Sequence, residues 1–164
     1  MQIRPELQHQ RVDINLLQPH PRNVRQGDIG AICESLKTHG QYRPIVVQQA
    51  TNYIVAGNHT YKAAKALKWK QIACTYIDCD DDQALRIMLV DNKANDQATY
   101  DDAQLAVLLT ELSNTQDALE GAGFDLDDIE QLIKLFEDTR PPNTTHQPKK
   151  IECPICGAEF TNKN

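Results

Sequence analysis

The sequence lacks any apolar run that approaches the roughly 20 residues needed for a membrane-spanning helix. Its first residues, MQIRPELQHQRVD, also lack the apolar core of a signal peptide. Both absences predict a cytoplasmic protein that makes no membrane contact. The 164 residues suffice for one hydrophobic core and a small appendage, so one main domain is expected.

Paired cysteines are also scarce. The chain has five cysteines, an odd number, and Cys33, Cys74 and Cys79 lie singly inside predicted helices or strands. In those places a cysteine serves as a small apolar core residue of a reduced protein. The pattern therefore does not predict a disulfide-stabilised scaffold.

Basic residues are nearly absent from the second half of the chain. Residues 1–75 carry ten Lys or Arg against four Asp or Glu, whereas residues 100–138 carry one lysine against eleven acids. A polyanion such as DNA would therefore meet the basic N-terminal half. The acidic half is either a solvated helical face or a surface for a protein partner.

The apolar pattern predicts an α+β fold, with a small mixed β-sheet and helices followed by a helical C-terminal part. Short β-branched or aromatic runs predict strands at 12–17, 43–48, 52–57 and 71–78. Stripes at helical spacing predict helices at 29–40, directly after Gly57, and at 80–96, 100–112 and 124–138. A loop fixed by prolines spans 18–28, and a polar linker spans 139–150.

One strand-to-helix junction, YIVAGNHTYKAAKALKW at residues 53–69, carries the main candidate site. A helix that starts directly after a strand directs its unpaired N–H groups, and the positive end of its dipole, beyond the sheet edge. An anion is stabilised there. The alternative is an ordinary turn capped by Asn58.

Several side chains near this junction suit phosphate, because they donate hydrogen bonds or carry positive charge. The candidates, with the backbone of Gly57 and its successors, are Arg22, Arg25, Asn58, His59, Thr60 and Lys62. His59 alone also has the alternative of a capping or partly buried imidazole.

The tail ECPICGAEF contains half of a zinc site, since Cys153 and Cys156 are separated by two residues. A structural zinc needs four ligands, and no second cysteine pair follows. His146 with one further group, or the same pair from a second chain, would complete the site. The remaining alternative is a tail without metal.

Residues 16–67, LLQPHPRNVRQGDIGAICESLKTHGQYRPIVVQQATNYIVAGNHTYKAAKAL, resemble the N-terminal domain of the ParB/sulfiredoxin superfamily. Its members have a first loop with Pro and Arg, then a segment of the form eSIkehGqxqPIvV. A strand ending in Gly-Glu-Arg-Arg follows, and after it an alanine-rich helix. The likeness extends over roughly residues 12–100, and the last motif is Gly57-Asn58-His59-Thr60 here.

The resemblance implies a nucleotide site. In ParB proteins the Gly-Glu-Arg-Arg loop holds the triphosphate of CTP, and a later Glu-Asn pair helps to hold Mg²⁺ and phosphates. Asp91-Asn92 stands at the place of that pair. Sulfiredoxin binds ATP with a Gly-Cys-His-Arg loop, but Asn58 replaces its catalytic cysteine, which excludes thiol repair chemistry.

Four regions are predicted: the resemblance implies a ParB/sulfiredoxin-like domain at 1–100, and composition and spacing predict an acidic helical extension at 101–138, a linker at 139–150 and a cysteine-knuckle tail at 151–164. The segment DNKANDQATYDDAQLAVLLTEL looks like ParB-like domains found alone in phages and mobile elements. A basic recognition helix for centromere DNA is not visible in the acidic extension.

Three functions follow as hypotheses. The first is a nucleotide-binding protein, with CTP or ATP and Mg²⁺, that acts as a homodimeric regulator or accessory in DNA transactions. The second is a metal-dependent DNA-nicking nuclease in which His59 and Asp91 are catalytic. The third is an interaction module whose acidic helices bind a partner.

Overall fold

The computed structural model describes residues 2–139, 150–152 and 159–161, with side chains described as far as residue 135. Within these residues no helix is long and apolar enough to cross a membrane.

A five-stranded mixed sheet forms the centre of the protein, which confirms the predicted α+β fold. Its strands in spatial order are β1 (Arg11–Asp13), β5 (Gln71–Ile77), β3 (Ile45–Gln48), β4 (Tyr53–Ala56) and β2 (Gln18–Pro19). β3 pairs in parallel with β5 and antiparallel with β4. β1 pairs antiparallel with β5, and β2 pairs in parallel with β4. The mostly buried β3 and β4 therefore lie between partners on both sides.

Among the residues that the structure describes, five α-helices accompany the sheet. They are α1 (Gly30–His39), α2 (Asn58–Ala66), α3 (Asp81–Gln97), α4 (Asp102–Ser113) and α5 (Leu126–Thr139). α1 ends at Gly40, which adopts a positive φ of 68°. α3 begins with a capping box, in which Asp80 and Gln83 satisfy each other's backbone N–H groups. A separate pair of short strands, β6 (Lys150–Glu152) and β7 (Glu159–Thr161), is antiparallel.

The strand predicted at residues 12–17 is wrong over most of its length. Only Arg11–Asp13 pairs with the sheet, and a 3-10 helix follows at Ile14–Leu16. The Asp13 carboxylate accepts a hydrogen bond from the Asn15 N–H at 2.8 Å. This local cap competes with continued strand pairing, and β propensity alone does not reveal it.

The main core joins the sheet to α1 and α2. Its buried members come from the central strands, both helices and the N-terminal segments: Ile3, Ile14, Leu17, Leu36, Ile45, Val47, Ile54, Tyr61, Ala63, Ala64, Trp69, Ile72, Ala73 and Cys74. A smaller cluster of Leu109, Leu119 and Ile129 holds α4 against α5. The helical extension therefore has a packing centre of its own.

A turn between α4 and α5 connects this extension to α1. The Gly121 N–H donates to the Glu34 carboxylate at 2.8 Å, and Gly121 itself has a positive φ of 75°. A Cβ atom at position 121 would lie 2.7 Å from Nε2 of His39. Glycine is therefore required where this turn meets the end of α1.

The segment between α1 and β3 is fixed by one buried amide. Gln41 is 1% exposed, and its Nε2 donates to the Ala73 carbonyl at 2.8 Å and to the Arg43 carbonyl at 3.0 Å. Its Oε1 accepts from the Ala73 N–H at 2.7 Å. Two of these hydrogen bonds hold Gln41 against Ala73 of β5, and the third joins it to the Arg43 backbone.

Replacing Gln41 by alanine should destabilise the protein by about 2–4 kcal/mol, because it leaves buried backbone groups of Ala73 without partners. Urea denaturation measures the change. The exposed Gln49 provides a matched control, and Gln49→Ala should change the free energy of unfolding by less than about 0.5 kcal/mol. Equal effects of the two substitutions would contradict this role of Gln41.

Candidate anion-binding pocket

The predicted junction after β4 is a left-handed turn at glycine. Gly57 has φ 86° and ψ 24° and is the N-cap of α2. A Cβ atom at this position would lie 2.6 Å from Cγ2 of Ile45. Only glycine combines this conformation with such close packing on β3.

The turn leaves the first N–H groups of α2 available. The first helical hydrogen bond runs from the Tyr61 N–H to the Gly57 carbonyl at 3.0 Å. The N–H groups of residues 58–60 precede it and have no partner within the helix. Together with the helix dipole, they favour an anion above the turn.

A cavity of about 360 Å³ opens above this helix end. Its walls come from the loop before α1, α1 itself, the residues around β3, the end of β4, the start of α2 and the second half of α3. The lining residues are Asn23, Arg25, Ile32, Arg43, Pro44, Ile45, Val46, Val55, Ala56, Gly57, Asn58, His59, Thr60, Asp91, Asn92 and Asn95.

The fold brings most of the sequence-predicted site residues to this cavity. Seven of them line it, namely Arg25, Gly57, Asn58, His59, Thr60, Asp91 and Asn92. Lys62 is not in the lining but is close enough to influence His59. Arg22 instead lines an apolar depression with Val24, Leu85, Met88 and Leu89. His146, Cys153 and Cys156 lie outside the described residues.

Two buried polar atoms in the cavity wall have no hydrogen-bond partner among the described residues: Oδ1 of Asn58 and Nε2 of His59. Asn58 is 7% exposed, and its Nδ2 donates to the Ile54 carbonyl at 3.3 Å, so only its oxygen is left. Buried polar atoms are nearly always paired. An unpaired donor and acceptor at a helix N-terminus indicate a site built for a polar ligand.

The surroundings of His59 disfavour its charged form. Burial lowers the pKa of its imidazole, and the charges of Lys62 and Arg25 lower that pKa further. The ring lies beside the loop before α1, where a Cβ atom on Gly27 would be 3.1 Å from Nε2. A bound anion would reverse these effects and favour the imidazolium.

Arg25 connects this loop to α3. Its Nη1 donates to the Asn92 carbonyl at 2.7 Å and forms an ion pair with Asp96 at 2.9 Å. The Asn23 side chain accepts from the Arg25 N–H at 3.1 Å and shapes the loop. The guanidinium therefore closes one wall of the cavity while part of its charge is already neutralised.

The cavity fits Mg²⁺ as a companion of bound phosphates. Mg²⁺ in phosphate sites takes one or two carboxylates and completes its shell with phosphate oxygens and water. Asp91 is the only carboxylate in the lining given above, and Asn92 and Asn95 add amide oxygens. Among the described residues, no group of three or more His, Cys, Asp or Glu side chains is arranged to hold a metal ion.

Sequence reasoning missed Arg43. This residue lies between Gln41 and the start of β3 and is one of the residues that line the cavity. A sign was present in the sequence, because Arg43 directly precedes Pro44-Ile45 in a segment that runs towards the Gly57 turn.

The pKa of His59 in the ligand-free protein should lie below its ordinary value of 6.5. Replacing Lys62 by glutamine removes one of the charges that lower it, so the pKa should rise in that variant. NMR titration of the imidazole C–H signals measures both values, and His59→Gln assigns them.

Lys65→Gln, on the same helix but exposed, serves as the control and should leave the His59 pKa unchanged. Because the unfolded chain binds more protons than the native one below pH 6.5, His59 should reduce stability as the pH falls through this range. A His59 pKa at or above 6.5 would contradict the described surroundings of the ring.

Known proteins share sequence similarity with this chain. Residues 2–93, more than half of the chain, match the ParB N-terminal domain family. The nucleoid occlusion protein of Oceanobacillus iheyensis is 29% identical over 106 residues, and that of Geobacillus thermodenitrificans is 30% identical over 105 residues. Each alignment covers 60% of this chain but only 37% of the relative.

The fold is also that of a solved ParB structure. The C-terminally truncated chromosome-partitioning protein ParB from Caulobacter crescentus, crystallised with CTP-gamma-S, aligns with a TM-score of 0.63 at 20% identity. The alignment covers 77% of each chain. The chain therefore belongs to the ParB N-terminal domain family.

Proposed function

We propose that the cavity binds the phosphates of a nucleoside triphosphate, CTP or ATP, with Mg²⁺. The single observation that carries this proposal is the start of α2 at the Gly57 turn, where the N–H groups of residues 58–60 have no partner within the helix and Nε2 of His59 has no hydrogen-bond partner among the described residues. A polyphosphate supplies acceptors for the N–H groups and for a protonated His59.

The residues around the cavity have different roles in the proposed binding. The N–H groups of residues 58–60 and the Thr60 hydroxyl donate to phosphate oxygens, while Lys62 and Arg25 contribute positive charge. Asp91 and Asn92 on α3 supply oxygen atoms suited to Mg²⁺. Since Arg25 also bonds α3, a ligand that competes for its guanidinium would alter the contact between the loop and this helix.

The relatives support a role in DNA transactions. Proteins with the same family domain act in nucleoid occlusion and chromosome partitioning, and one of them was crystallised with a CTP analogue. We propose that this chain is a nucleotide-binding regulator or accessory of DNA segregation, modification or replication in a phage or mobile element. Hydrolysis, where it occurs, would serve as a slow switch.

The charge distribution supports separate contacts for DNA and protein. We propose that DNA meets the basic N-terminal half, where Lys65, Lys68 and Lys70 are exposed. We further propose that the chain forms a homodimer. The acidic helices α4 and α5 would take a protein partner with basic and apolar groups, since Leu108 and Leu126 are also exposed on them.

For the tail we propose a zinc knuckle at Cys153 and Cys156, completed by His146 or by the same pair of a second chain. In sequence the pair falls between the antiparallel strands β6 and β7. Metal analysis of the purified protein tests this proposal.

The nuclease alternative has less support. A two-metal mechanism needs several carboxylates close together, and Asp91 is the only carboxylate in the lining of the described cavity. Support for catalysis by His59 and Asp91 would be metal-dependent nicking of supercoiled plasmid DNA by the unmodified protein and its loss in the His59→Ala variant.

Calorimetric titration with CTP, ATP, GTP and UTP in the presence of Mg²⁺ should show micromolar binding of at least one nucleotide. Thr60→Glu and Lys62→Glu should abolish this binding, because each places a negative charge beside the phosphates. Lys70→Glu makes the same charge change away from the cavity and should bind like the unmodified protein. Unchanged binding in the Thr60 and Lys62 variants would contradict the proposed site.

A further inference from the structure

Arg43 is the cation of the cavity that remains free to bind a ligand. Arg25 already pairs with Asp96 and with the Asn92 carbonyl. The guanidinium of Arg43 has no hydrogen bond or ion pair within the part of the chain that the structure describes, although it lines the cavity. The two arginines of one pocket thus differ in availability.

The backbone of Arg43 is rigidly placed. Its carbonyl accepts from the buried Gln41 amide at 3.0 Å, and Pro44 follows directly. The next residue, Ile45, is the one against which the Gly57 turn packs. Arg43 therefore lies two residues before Ile45, on a backbone that Gln41 holds in place. Its exposed side chain can turn towards the cavity.

The loop at residues 57–60 needs charge from elsewhere. The motif that it resembles carries two arginines, but this chain has His59 and Thr60 in their places. The surroundings of His59 lower the pKa of its imidazole and so disfavour the charged form. In the segment eSIkehGqxqPIvV, by contrast, the residue before Pro is glutamine, and here it is Arg43. Arginine is thus absent from positions 59 and 60, whereas Arg43 lines the same cavity.

We infer that Arg43 grips the phosphates of the bound nucleotide and so replaces the positive charge that the loop lacks. A guanidinium binds two phosphate oxygens in a bidentate arrangement that neither His59 nor Thr60 can form. Arg43, Ile32 and Thr60 also line a second cavity of about 370 Å³ next to the first. This position lets the guanidinium contact phosphates while the rest of the nucleotide occupies either cavity. The inference rests on the proposed nucleotide site.

The test compares Arg43→Gln, Arg43→Lys and Arg11→Gln with the unmodified chain, using CTP, ATP and inorganic tripolyphosphate, each with Mg²⁺, as probes in calorimetry. Arg43→Gln should weaken binding of tripolyphosphate and nucleotide alike by roughly 10- to 100-fold. Arg43→Lys should recover part of the loss, because it keeps the charge but not the fork. Arg11 is exposed on β1, far from the lining, and Arg11→Gln should bind normally.

The outcomes separate this inference from the proposed function. If the unmodified chain binds none of the probes, both are overturned. If it binds nucleotide and Arg43→Gln binds equally well, only the inference is overturned. If Arg43→Gln loses nucleotide binding but keeps tripolyphosphate binding, the guanidinium contacts the base or sugar, and its proposed phosphate role is wrong. Far-UV circular dichroism should show all variants folded, since the Arg43 side chain makes no contact that the fold requires.

Discussion

The close packing of Gly57 against Ile45 is the constraint on which the site depends. Because glycine has no Cβ atom, residue 57 can adopt the left-handed conformation, pack closely on Ile45 and start α2 directly after β4. The same turn fixes the helix end relative to β3, and Gln41 fixes the segment that enters β3. Backbone N–H groups, His59 and Arg43 therefore face one cavity from a rigid frame.

The basic side chains of the cavity differ in how available they are for a ligand. Arg25 is paired with α3, the pKa of His59 is lowered, and Arg43 is unpaired among the described residues. A polyanion bound in the cavity would interact with the helix end and Arg43, favour protonation of His59, and compete with Asp96 for Arg25. Competition for Arg25 would affect the contact between α3 and the loop that precedes α1. Ligand binding at this cavity thus has a physical route to a change in the arrangement of that loop.

The sequence predicted the central part of the fold because each element there carries its own local signal. The apolar run at 52–57 ended by glycine gave β4 and the Gly57 turn, and the alternation of strands with helices indicated a mixed sheet. The strand at 12–17 was overestimated, because a side-chain cap at Asp13 took over after three residues. Local caps compete with strand pairing in ways that an apolar pattern does not record.

The candidate site was predictable where its residues are contiguous and less so where distant segments meet. The position of Asn58, His59 and Thr60 directly after the strand predicted their place in the cavity. Arg25 also lines the cavity, as predicted from its loop. Arg22, only three residues earlier, lies on an apolar depression instead, because neighbouring loop residues face different ways. Arg43 belongs to no local phosphate motif, so only the folded arrangement brings it to the cavity.

The most direct test of the account is a titration of the ¹⁵N-labelled protein with CTP and with ATP, in the presence of Mg²⁺, followed through the backbone amide signals. The account predicts that one nucleotide shifts the amides of residues 58–60 most strongly, with further shifts at Arg43 and Asn92. No change at residues 58–60 with saturating nucleotide, or changes concentrated in α4 and α5, would contradict a phosphate site at the Gly57 turn.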